Sequence, residues 1–168
     1  MTKTVWALLI VMLAASSALA DEPEWRPVLK SEESARLRGV VVNRDVGCVF
    51  VDLGDRGIYC SGPGATKFAP LKDQSVDGPY GKFVRALREG KDAEHDRVRG
   101  KDSRHLFELS KAGVIESTDG GNTWSKPIPL PKALKGSESR AWIEYDPKND
   151  LLYVLKPGGD LYKLSRRK

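Results

Sequence analysis

Ser117-Thr118-Asp119-Gly120-Gly121-Asn122-Thr123-Trp124 is the stretch on which the reading of this chain turns. Before it runs Gly113-Val114-Ile115-Glu116, short and rich in β-branched side chains. After it comes Ser125-Lys126-Pro127-Ile128-Pro129-Leu130, extended and limited by prolines that cannot donate to a ladder. The octet therefore predicts a tight turn between an entering strand and a departing edge strand. Within it the Asp119 carboxylate is placed to accept backbone N–H groups a few residues on, while Gly120 and Gly121 can take positive φ without steric cost. Trp124, just past the turn, is expected to fold its ring against the sheet and pin the hairpin.

Ser117, Asp119, Gly121, Thr123 and Trp124 match all the fixed positions of Ser-x-Asp-x-Gly-x-Thr-Trp. The octet thus resembles the Asp-box, or bacterial neuraminidase repeat, of sialidases, sortilin-like receptors and related β-propellers. In those families the box is a structural turn on the outer rim, away from the active site. The resemblance implies a propeller-like fold and a structural role for these residues, and does not by itself imply sialidase activity.

Outward from the octet, its hairpin recurs. Cys48-Val49-Phe50-Val51, a glycine-containing turn and Gly57-Ile58-Tyr59-Cys60-Ser61 align with His105-Leu106-Phe107-Glu108-Leu109, a turn and Gly113–Ser117. A third copy comprises Leu151–Leu155, a turn through Pro157-Gly158-Gly159, and residues 160–165. The first copy continues over 62–68 as a decayed box, with Pro63 where Asp119 sits and Phe68 where Trp124 sits; the third stops soon after its serine. Residues 142–150 read as the strand and Asp-Pro-x-Asn turn that open the third copy, and 39–45 as their counterpart in the first. The second copy has no evident opening strand. Residues 83–88 read either as that strand or as a short helix, and the rest of 78–101 as a charged, exposed loop.

A four-stranded unit needs one more strand after each box. Phe68-Ala69-Pro70-Leu71 and residues 124–130 supply it for the first two copies. The third lacks one, yet Glu24-Trp25-Arg26-Pro27-Val28-Leu29 has the same aromatic-x-Pro-apolar character, so the N-terminal strand is expected to close the C-terminal unit. The predicted fold is all-β and β-propeller-like, a single domain over 21–168. It holds about three four-stranded antiparallel blade units, at about 38–71, 82–130, and 140–165 plus 24–29. Propellers usually hold about 4 to 8 blades. Either two or more chains assemble into a full ring, as a homodimer would, or the chain is a shortened member that closes as a compact three-unit fold.

Lys3 precedes an uncharged run over 5–20 that ends in Ala18-Leu19-Ala20 before Asp21, the pattern of a secretory signal peptide over 1–20 cut after Ala20. The run falls short of the roughly 20 residues of a membrane span. A secreted or periplasmic protein without a membrane span after cleavage is expected. The 168 residues carry 28 Lys and Arg against 23 Asp and Glu, a net charge of +5, spread evenly apart from Arg166-Arg167-Lys168. Without an aromatic-basic patch, nucleic acid is not an expected partner. Cys48 and Cys60 flank a hairpin, and if its turn centres near Gly54 they face each other. In an oxidising compartment a disulfide is then expected, the alternative being two buried thiols. Two cysteines without a nearby histidine make a poor metal site, and no metal or cofactor is expected.

No residue is assigned a catalytic role. A sialidase would need three arginines converging on the substrate carboxylate, a Tyr-Glu nucleophile pair and an acid-base Asp, and no arginine here sits in a complete motif of that family. Trp25-Arg26-Pro27 resembles the aromatic-Arg-Ile-Pro segment near a sialidase N-terminus but lacks the intervening residue, and reads as an outer-strand Arg beside a Pro. His95, within Lys91-Asp92-Ala93-Glu94-His95-Asp96-Arg97, reads as part of a solvated loop, and His105, beside Arg104, as a half-exposed strand residue. Asp-boxes also occur in some small secreted ribonucleases, but no Glu-Arg-His spacing supports that chemistry here. Tyr59, Tyr153, Tyr162 and Trp142 occupy repeat-equivalent or neighbouring places, and read as packing between units ahead of a carbohydrate platform. The expected function is an exported, non-catalytic binding module of the Asp-box propeller type with a glycan or protein ligand. The alternative is a sialidase-like glycoside hydrolase, reduced or assembled across an oligomer.

Overall fold

Runs of Val, Leu, Ile and aromatic residues broken by Gly, Asp and Asn turns leave the backbone little choice but short hairpins. The computed structural model describes residues 24–29, 37–90, 96–136 and 141–166. The expected leader over 1–20 with its cleavage after Ala20, and also His95, Arg167 and Lys168, lie outside them. The first sheet joins β2 (Gly39–Asn43), β3 (Cys48–Asp52), β4 (Ile58–Ser61) and β5 (Phe68–Pro70) in that order. After helix α1 (Gly81–Glu89), a middle sheet joins β6 (Arg97–Arg99), β7 (Leu106–Ser110) and β8 (Gly113–Ser117). The last sheet holds β9 (Trp142–Asp146), β10 (Leu151–Leu155) and β11 (Leu161–Ser165), with β1 (Trp25–Leu29) on its edge beside β11. Among the described residues all pairings are antiparallel, and the fold is all-β, with three small sheets, none of which closes on itself. In the pairing of the two chain ends, Trp25 stands opposite Leu164 and Pro27 opposite Tyr162.

β10 is buried along its whole length, and its alternating side chains set the layers. Tyr153 and Leu155 pack with Val40, Val42, Val49 and Val51 of the first sheet. Leu152 and Val154 pack on the other side with Phe107, Leu109 and Val114 of the middle sheet. The far face of the first sheet carries Phe50 and Ile58, and α1 covers it with Phe83, Val84 and Leu87. The order through the molecule is helix, first sheet, last sheet, middle sheet. Gly39 keeps the stack tight: a Cβ there would stand 2.6 Å from the Trp142 ring.

The structure departs from the sequence reading in several places. Of the two readings left open for residues 83–88 the helix is the one observed, since Phe83, Val84 and Leu87 share one helical face that the first sheet needs for cover. The opening strand of the middle sheet is Arg97–Arg99, inside the region read as a loop. The outer strand expected over 124–130 is reduced to one bridge, Val114 with Ile128, closed by hydrogen bonds of 2.9 and 2.7 Å. Pro127 and Pro129 on either side have no N–H to extend it, so the middle sheet has three strands.

Cys48 and Cys60 are free thiols, which corrects the expected disulfide. The hairpin turns through a 3-10 turn at Gly54–Arg56, so Phe50 stands opposite Cys60 and Val49 opposite Ser61. The cysteines are thereby diagonal on one face, both against the α1 cluster. Diagonal neighbours lie about 7–8 Å apart, beyond the roughly 4.4–6.8 Å that a bridge spans. Burial, and to a lesser degree the neighbouring Cys48, push the Cys60 thiol above its ordinary value.

Candidate functional site

In the octet, side chains replace the ladder. Ser117 donates to Asp119 Oδ1 at 2.8 Å and accepts from the N–H of Gly121 at 2.8 Å. Thr123 gives Asp119 both its N–H, at 2.9 Å, and its hydroxyl, at 2.6 Å. These donors, the Thr123 hydroxyl foremost, hold the Asp119 carboxyl down to about 2. Gly120 and Gly121 take φ of +80° and +93°, which favours glycine at both. Trp124 lies beside Gly121, and the Arg97 guanidinium sits 5.9 Å from the Trp124 ring. Arg97 also donates to Glu108 across the β6–β7 pair. Every polar contact of Asp119 described here lies within the turn itself.

One strand inward lies a cluster of ionisable groups. His105 is buried, not half-exposed: its Nδ1 accepts the Lys101 N–H at 3.1 Å, and its Nε2 stands 2.7 Å from Glu116 Oε1. The backbone donor at Nδ1 fixes the tautomer, so Nε2–H donates to Glu116. The second Glu116 oxygen accepts from Arg166 at 2.6 Å, and that guanidinium lies 4.7 Å from the centre of the Phe107 ring. Alongside, Asp150 accepts from the Tyr145 hydroxyl at 2.8 Å and the Lys101 ammonium at 3.2 Å. Burial opposes the Asp150 charge, but Tyr145 and Lys101 outweigh it and hold the carboxyl below its usual range. Burial and the Asp150 acceptor push the Tyr145 phenol well up, away from phenolate. His105 and Glu116 resemble a base and its orienting group, but the imidazole lone pair is spent on backbone. The cluster joins the middle sheet to the end of β11.

Glu144, half-buried on β9, faces a different environment. Burial pushes its carboxyl up to about 8, against the opposing pull of Arg44 and the Tyr145 N–H. Arg44 itself donates to the carbonyls of Arg99, at 2.6 Å, and Gly100, tying the first sheet to the end of β6. Among the described residues no group of three His, Cys, Asp or Glu side chains is arranged to hold a metal ion. No helix among them is long and apolar enough to cross a membrane.

The open site is elsewhere, at the outer edge of the last sheet. Trp25 and Tyr162 are diagonal neighbours on the face toward the middle sheet, and the segment after Trp124 passes over them. Trp25 Nε1–H donates to the Pro129 carbonyl at 2.7 Å, which fixes the indole and the segment together. Between them opens a cleft of about 560 Å³ lined by Trp25, Tyr162, Pro131, Lys132 and Lys135. A smaller cleft of about 240 Å³ shares Pro129, Leu130 and Lys135 with it and continues to Lys111. The two adjoin at these shared residues as a trough whose aromatic rings line the larger cleft and whose lysines line both. The nearby acid, Asp160, accepts from the Tyr162 hydroxyl at 3.2 Å.

Of the repeat-equivalent aromatics, only Tyr162 reaches this trough. Tyr153 is fully buried, its hydroxyl without a partner among the described residues, while Tyr59 and Trp142 pack on the core between first and last sheets. Arg26 points to solvent and pairs with Glu24 at 2.9 Å. The pairing of Trp25 with Tyr162 was not read from the sequence; its one signal was the similarity of the N-terminal segment to the outer strands. Compared with family models, curated proteins and solved structures, the chain shows no match.

Proposed function

We propose that this protein is an exported, non-catalytic binding module of the Asp-box propeller type, its three sheets serving as blade-like units and its ligand a glycan or a protein. The observation that carries the reading is the trough between Trp25, Tyr162 and the 129–135 segment. It is concave, of ordinary ligand-site size, and combines apolar walls with a few charged groups. Support also comes from the octet, whose side chains serve their own turn, and from the acid-base groups of the inner cluster, which are engaged with one another. Tyr145, the tyrosine nearest to Glu116 in that cluster, is held far from the phenolate that a nucleophile requires.

The test has two arms. The protein recovered from its producing cell is expected to begin at Asp21 and to bind on a glycan array or to an envelope protein. A fluorogenic sialoside is expected to stay intact over the same concentration range. Steady turnover of the sialoside by purified protein would replace this reading with the glycosidase one.

A further inference from the structure

We infer that the trough between Trp25, Tyr162 and Lys111 is a binding site for an acidic oligosaccharide, with sugar faces on the two aromatic rings and carboxylate groups on the three lysines. This rests on the binding-module reading and names its ligand class. Both rings stand on one face at the edge of the last sheet, and both are half-buried, so each offers one side to a ligand while the other is packed. Tethering by Pro129 and Asp160 orders the rings before a ligand arrives, which lowers the entropy cost of binding. A pyranose ring has an apolar C–H face and a polar rim, the combination that an amphipathic aromatic edge recognises.

The charge of the trough is one-sided. Among the described residues Lys111, Lys132 and Lys135 are exposed in its lining, which includes no acid, and Asp160 lies outside that lining. Lysines are point charges on flexible stems, which can follow carboxylates spaced along a chain. The Lys111 cleft adjoins the aromatic one through Pro129, Leu130 and Lys135, so the pair offers room for more than one sugar residue. Single-stranded nucleic acid would also find rings and cations here. Among the described residues the aromatic rings line the larger cleft alone, whereas a single strand stacks successive bases along its groove, which favours the saccharide.

The experiment is calorimetric titration of the mature protein with a galacturonate oligomer, against maltoheptaose, dextran sulfate and oligothymidylate. The galacturonate oligomer is expected to bind most tightly and to weaken as salt rises. Lys132→Gln with Lys135→Gln is expected to weaken it roughly tenfold at unchanged melting temperature. Tyr162→Phe, which loses only the tether to Asp160, should weaken binding slightly and Tyr162→Leu should abolish it, which separates the ring face from the hydroxyl. If the lysine pair variant binds as wild type does, the site is elsewhere. If dextran sulfate binds equally and Tyr162→Leu is silent, the effect is bulk charge attraction and the proposal falls. Tighter oligothymidylate binding would replace the saccharide with nucleic acid. Array binding to neutral glycans with no response to galacturonate overturns the acidic class but leaves the module reading; silence on the array, with envelope proteins and in all titrations sinks both.

Discussion

The Asp119 carboxylate accepts three hydrogen bonds inside its own turn, and protonating it would remove the charge that makes them strong. Its folded value of about 2 lies below the ordinary 3.8, so its contribution is fully present above 3.8 and is lost as pH falls through 2. Melting temperature should therefore drop more steeply over that window in wild type than in Asp119→Asn. Asp119→Ala should melt several degrees lower at neutral pH while ligand binding at the trough persists; loss of binding at unchanged melting temperature would contradict the structural role. Glu144 has the opposite sign. Its folded value of about 8 exceeds the ordinary 4.5, so the folded state holds a proton that the unfolded chain releases. Stability should decline as pH rises from 4.5 to 8 and be lowest above it. Glu144→Gln should flatten that decline and melt higher than wild type at pH 9, and a parallel pair of curves would argue against the assignment.

At the scale of elements, the hairpins were legible because β-branched runs alternate with turn residues, and the N-terminal edge strand was legible from its Trp-x-Pro pattern. Arg97–Arg99 was hidden, because only Val98 of its three residues carries a strand signal and both neighbours are charged. The register between β3 and β4 was misread because the turn is longer than a glycine-centred one. That register has a direct check: a thiol reagent should titrate both cysteines in denaturant without prior reduction, and dithiothreitol should leave the melting temperature unchanged. The inner cluster was invisible in the sequence, since Arg166 meets the His105–Glu116 pair only when the end of β11 lies against the middle sheet. Arg166→Ala would leave Glu116 with one partner in a mostly buried place, at a cost of about 2 kcal/mol. Chemical denaturation should show the midpoint falling without a change in slope.

Across the whole molecule, three sheets are stacked with the last one in the middle, and α1 lies on the face of the first sheet where a further sheet would stack. Apolar periodicity predicted the sheets but not their order, which depends on β10 being apolar on both faces. The trough was the least legible feature, because its two aromatic residues belong to opposite ends of the chain. Removing residues 21–29 would take away Trp25 and uncover the edge of β11. Such a deletion should weaken galacturonate binding and raise the light-scattering mass through edge-to-edge pairing. A deletion variant that stays at the wild-type mass would show that β11 is protected in some other way.

The pairing of β1 with β11 also sets an order of events. β1, made before any other described strand, has no partner until β11 has been made. Until then, Trp25 and Val28 are available to whatever else recognises an unpaired apolar segment. Contacts so far apart in sequence form slowly. The last sheet is therefore a timing device: it cannot be finished until the two sheets encoded between its edge strand and its body have been made.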